Sequence, residues 1–199
     1  MSIALAVVLG VSLLAATQFT SIYVAPDAAG SSFAGKKVAA LVITSDEALR
    51  MSAEEALVRA LAPRQVQAVA AYRLIPKEEL QNKDKVKPWF EKAGVQGVVV
   101  LRPVQLETKV TKYAPGWTTT SYNTFWGYYG YGTVAAYRPA HTERESIAVV
   151  ETVVYDVTRD TLLWGAVSAV TESKGMDAYM KELVGDAVKE MKKAGLIKK

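Results

Sequence analysis

Three glutamates, Glu143, Glu145 and Glu151, are the nearest this chain comes to a catalytic set. Two carboxylates flanking a sugar bond are the apparatus of a glycosidase, one as acid and the other as base or nucleophile. Carboxylates at a charged strand entry are commonplace, however, and nothing in the spacing singles out a pair. His141 is the only histidine and cysteine is absent, which excludes multi-histidine and thiolate metal centres; a loop position near Pro139 suits an exposed imidazole. The string Gly30-x-x-x-x-Gly35-Lys36 approaches a phosphate-binding loop but has Lys37 where Ser or Thr must hold the metal, and it leads into a strand instead of a helix. Gly130-Tyr131-Gly132 fits a dinucleotide fingerprint only as letters, because Tyr137, Arg138 and Pro139 follow where the helix should run. No catalytic residue, metal or cofactor is therefore expected.

Binding is better supported than catalysis. Half of the aromatic residues fall within residues 113–137, a glycine-rich stretch between two strand-like runs. A loop beyond about 12–15 residues inside a domain is usually functional or disordered, and disordered segments are poor in aromatics. Trp117, Tyr122, Phe125, Trp126, Tyr128, Tyr129 and Tyr131 are the candidate binding residues. Tyrosine, tryptophan and glycine together suit adaptable binding loops, offering apolar area with a polar tip. The competing account is that these side chains fold back to cover an open sheet face.

Arg102 and Glu151 each interrupt an apolar alternation: Val98, Val100 and Val104 share the face of the first, and Val149, Val153 and Tyr155 that of the second. Both should point inward, and an unpaired inward charge is prohibitively costly. If the two faces coincide, a mutual ion pair is predicted, either fixing strand register or forming a polar spot in a cleft.

These residues need a scaffold, and 199 residues at 50% hydrophobic content suffice for one domain. The net charge of +4 is modest, and its lysine clusters (Lys83, Lys85 and Lys87; Lys192, Lys193, Lys198 and Lys199) lack interleaved aromatics, so nucleic-acid binding is not expected. Residues 3–16 are almost continuously apolar and precede the first charge at Asp27, which reads as a secretory segment too short to span a bilayer comfortably. No Lys or Arg precedes the run. Cleavage is expected; an uncleaved segment would be the only membrane contact. Residues 17–37 read as a flexible linker, and residues 38–199 as a single α/β domain with an aromatic excursion over 113–144.

Within that domain, residues 38–44 suit a buried strand, and a helix follows with Thr44 and Glu47 as a capping box and Leu49, Ala53, Ala56, Leu57, Ala60 and Leu61 at helical spacing. Residues 66–74 read as a strand. Residues 76–93 hold one or two short helices, with Pro88 as a first helical residue and Gly94 as the stop. Residues 97–106 form a central strand covered on both faces. Residues 146–157 and 162–171 form a hairpin, and residues 176–194 an amphipathic helix ended by Gly195. The order is β-α-β-α-β, the excursion, then β-β-α, in a mixed sheet of about five strands.

The runs at residues 94–104, 125–132 and 151–171 resemble bacterial envelope proteins of unknown function, many of them small lipoproteins. The topology is similar to the amino-terminal domain of TolB and the periplasmic domain of curli-secretion lipoproteins. That resemblance implies a periplasmic or outer-membrane setting and a role in assembly or binding, with no catalytic residues to transfer. Leu14-Ala15-Ala16-Thr17 looks like a lipobox in which Thr17 replaces the acylated cysteine, and a hydroxyl cannot supply the thioether. A non-enzymatic exported envelope module is thus expected, its partner another envelope protein or a copy of itself. The alternative is a glycan or peptidoglycan-binding module, in which Arg138, Glu143 or Asn123 would bond sugar hydroxyls.

Overall fold

The computed structural model describes residues 19–80, 82–105, 116–117, 124–130, 137–138, 147–171 and 176–198. It is an α/β fold built on a six-stranded mixed sheet. The strands are β1 (Phe19–Val24), β2 (Lys37–Val42), β3 (Gln67–Ala70), β4 (Gly97–Gln105), β7 (Ile147–Asp156) and β8 (Thr161–Thr171), in spatial order β1-β8-β7-β4-β2-β3. A separate ribbon pairs β5 (Gly116–Trp117) with β6 (Tyr137–Arg138). The helices are α1 (Glu47–Leu61), α2 (Lys83–Ala93), α3 (Phe125–Gly130) and α4 (Met176–Lys193).

β2 lies between β3 and β4 and runs parallel to both, whereas β4, β7, β8 and β1 are antiparallel neighbours. Alternation along the central strands sends Val38, Ala40, Val99 and Leu101 to one face, where Leu57, Leu61, Met180, Leu183 and Met191 of α1 and α4 cover them. Ala39, Leu41, Val98 and Val100 face the other way, against Val86 and Phe90 of α2 and Phe125 and Tyr129 of α3. The stripes predicted for α1 and α4 are those the core uses.

Local chemistry sets the element ends. Asp46 caps α1, its Oδ1 accepting from Leu49 N–H at 3.0 Å, while Thr44 instead accepts from Asp46 N–H; the helix cap therefore lies at Asp46 and not at the predicted Thr44. α2 starts at Asn82, whose Oδ1 accepts from Asp84 N–H, so Pro88 lies inside the helix and not at its first position. Gly94 ends it as predicted, at φ +67, and Lys37 Nζ donates to the helix's last carbonyl, Ala93, at 2.8 Å. β3 stops at Ala70, short of the predicted 66–74, because Ala71–Arg73 turns into a 3-10 helix.

The largest departure is at residues 19–37, read from sequence as a flexible linker. Phe19–Val24 is instead β1, paired with β8, and Phe19 packs edge-on against Trp164 at 6.3 Å. Phe33 is fully buried. Arg159 in the β7–β8 turn donates to Asp27 Oδ2 at 3.0 Å and to the Ser31 hydroxyl, fastening the segment to the hairpin. β1 escapes a sequence reading because it follows an uncharged apolar stretch that masks its own periodicity. The apolar run at 3–16 and the lipobox site at Thr17 lie outside the described residues.

Candidate functional site

Phe125-Trp126-Gly127-Tyr128-Tyr129-Gly130 contains two glycines and four aromatics, a poor helix-forming composition. It is nevertheless helical as α3, because packing fixes it. The Thr124 hydroxyl accepts from Gly127 N–H at 3.1 Å and Asp160 Oδ1 from Trp126 N–H at 3.3 Å, satisfying first-turn donors. Phe125 then stacks on Phe90 of α2 at 5.8 Å and meets Tyr155 of β7 at 5.6 Å. Tyr129 is buried, and its hydroxyl donates to the Leu80 carbonyl. Burial first, and the nearby Glu54 second, push its phenol above the ordinary range.

Trp126 is different. It leans on Phe125 at 4.8 Å and on Tyr129 at 6.4 Å, yet remains half-buried, with Lys87 Nζ 5.8 Å above its ring. Among the predicted binding residues whose side chains are described, Phe125 and Tyr129 are thus core and Trp126 is half-buried. Trp117 lies in β5 and Tyr128 in α3; Tyr122 and Tyr131 lie outside the described residues, as do His141, Glu143 and Glu145.

Arg102 and Glu151 face each other directly across the β4–β7 ladder, and both are buried. Their faces coincide, as the ion-pair reading requires, and neither is left without a partner. Glu151 is flanked on its other side by Val167 of β8.

A second polar centre was missed. Glu54 is fully buried at the end of β2, its two oxygens accepting from Val42 N–H at 3.1 Å and Tyr72 N–H at 2.8 Å. Val42 N–H points toward the side where β3 has already ended, so the carboxylate continues the ladder that the strand does not. Burial pushes this carboxyl up to about 7, the two amide bonds opposing it. Arg50, one turn earlier, is buried beside Glu47 at 3.6 Å. The clue lay in the spacing, since Arg50, Glu54, Leu57 and Leu61 share one helical stripe. With both oxygens engaged by backbone, Glu54 is placed as a structural acceptor and not as a base.

Among the described residues no cluster of His, Asp or Glu could hold a metal ion, and no helix is long and apolar enough to cross a membrane. The scaffold is therefore an α/β domain in which a short parallel β3-β2-β4 unit continues into an antiparallel β7-β8-β1 meander. No family model matches the sequence, and no curated protein matches it. Solved structures similar to the chain include a PelC dodecamer from Paraburkholderia phytofirmans, at 12% identity over 86% of this chain and 94% of that one, with a TM-score of 0.46. A point variant of the same dodecamer is 15% identical over 88% and 97%, with a TM-score of 0.43. Likeness of this degree carries no argument about what the chain binds.

Proposed function

We propose that the chain is a non-enzymatic, exported envelope module that binds another envelope protein through the aromatic surface presented by α3. Export is supported by the apolar, uncharged run at residues 3–16. The observation that carries the binding reading is the division of labour in α3: Phe125 and Tyr129 lock it to the core while Trp126 stays only half-buried, with a lysine over its ring. An aromatic held rigid before contact loses little conformational entropy on binding, which is how interface anchors act.

The test is crosslinked capture from envelope fractions with the intact chain and a Trp126→Ala variant, circular dichroism confirming equal folding. Loss of a captured protein in the variant supports the interface. Equal capture assigns Trp126 to cover alone. A half-buried ring of this kind also suits stacking on a sugar, so Trp126-dependent retention on peptidoglycan would favour the glycan reading over the protein one.

A further inference from the structure

β1 closes one end of the main sheet, and its outer side faces no other strand among the described residues. Natural edge strands are usually guarded by charge, proline or brevity. The opposite edge, β3, is only four residues long and turns away at Ala71. β1 carries none of these guards beyond an irregularity between Phe19 and Ser21: its sequence FTSIYV has no charge and no proline, and Ile22, Tyr23 and Val24 are 45%, 40% and 48% exposed. These are the large hydrophobic side chains most exposed among the described residues, together with Met51.

The ladder shows which backbone groups are open. Ala25 N–H donates to the Leu163 carbonyl at 2.8 Å, so Ala25 faces β8. Successive residues of a strand direct their N–H and C=O to opposite sides, which turns those of Val24 and Ile22 outward.

We propose that this edge pairs with β1 of a second copy of the chain, antiparallel about a two-fold axis at Ile22. Only residues of like parity can meet, because a two-fold perpendicular to the sheet keeps each residue on its own face. Centring on Ile22 sets Ile22 against Ile22, Thr20 against Val24 and Ser21 against Tyr23. It is the register that overlaps the outward groups over the greatest length, and it covers all three exposed apolar side chains. The absence of charge makes the segment compatible with itself, whereas nothing in it would select a charged partner. A contact this short buries less than the roughly 1,200 Å² of a standard interface, so the pairing is weak and concentration-dependent. It is separate from the aromatic face, and either can fail without the other.

Because the chain has no cysteine, single cysteines report the register directly. Ile22→Cys and Val24→Cys are introduced into the full chain, at positions of equal exposure, and disulfide dimers are followed under mild oxidation. In the proposed pairing the two Ile22 Cα atoms stand about 5.5 Å apart, within disulfide reach, while the two Val24 positions are about 14 Å apart. Ile22→Cys should crosslink at least about tenfold faster, with melting temperatures unchanged. Equal rates, faster crosslinking at Val24→Cys, or no dimer from either overturns the proposal. Ile22→Pro provides an independent readout: it removes an outward N–H and should abolish self-association in sedimentation while sparing the β1–β8 ladder. Retained association in a folded Ile22→Pro chain also overturns it.

Discussion

Glu54 makes the protein's stability depend on pH in an unusual direction for a carboxylate. Its folded value of about 7 exceeds the ordinary 4.5, so the folded state holds more protons between those limits. The stabilisation is complete below about 4.5 and is lost as pH rises through about 7, by roughly 3 kcal/mol. Glu54→Gln should flatten that slope in urea melts taken at several pH values. It should also destabilise the fold by about 1–3 kcal/mol, because the amide NH₂ would confront one of the two backbone donors. Asp156 acts oppositely. Burial would raise its carboxyl, but the Thr158 hydroxyl and the Arg159 N–H and guanidinium outweigh that and hold it low, so its contribution is lost only as pH falls through its depressed value.

Two further positions are decided by a single contact. A Cβ on Gly97 would lie 2.3 Å from the Phe33 ring, so Gly97→Ala should cost about 1–3 kcal/mol in denaturant unfolding, with part of the loss restored by Phe33→Leu. Arg102→Ala alone should cost about 3–5 kcal/mol, because Glu151 would remain buried opposite it. The double variant should lose less than the sum of the singles. An unchanged melting temperature for Arg102→Ala would remove the pairing idea. At this scale the inward direction of Arg102 and Glu151 was legible from strict alternation. The partner of Glu54 was not, because a helix stripe says nothing about where a neighbouring strand runs out of residues.

Among the elements, α3 shows how far packing overrides local preference. Its glycines and aromatics read as loop, and a helix exists there because Phe90, Tyr155 and Asp160 receive it. Phe125→Ala should therefore destabilise by about 3–5 kcal/mol, whereas Trp126→Ala, which vacates a half-buried site, should cost clearly less in the same chemical melt. Comparable losses would make Trp126 as structural as its neighbour. Elements with strong punctuation were readable: Gly94 and Gly195, both at positive φ, end α2 and α4 where the sequence places the stops. Pro88 misled, since a proline permitted at a first helical position is also tolerated here inside α2.

For the whole molecule, the order of the strands β2, β3, β4, β7 and β8 with helices α1, α2 and α4 and the two-sided burial of β4 were legible in the sequence, whereas α3 and the β5–β6 ribbon were not. The sixth strand was not. Its pairing with β8 depends on residues nearly 150 positions away, and no local pattern encodes such a partner; the Thr20 hydroxyl, for example, donates to the carbonyl of Val167, 147 residues on.

That separation also orders events in time. The first strand of the sheet to be synthesised finds its neighbour only in one of the last, so a growing chain must carry Phe19–Val24 unmatched until residues 161–171 have followed. Completion of this sheet therefore waits for β8, the last of its strands in chain order. A nascent chain halted before β8 should accordingly remain protease-sensitive throughout its amino-terminal segment. The late partner gives this one strand an interval, set by topology, in which it has no neighbour in the sheet.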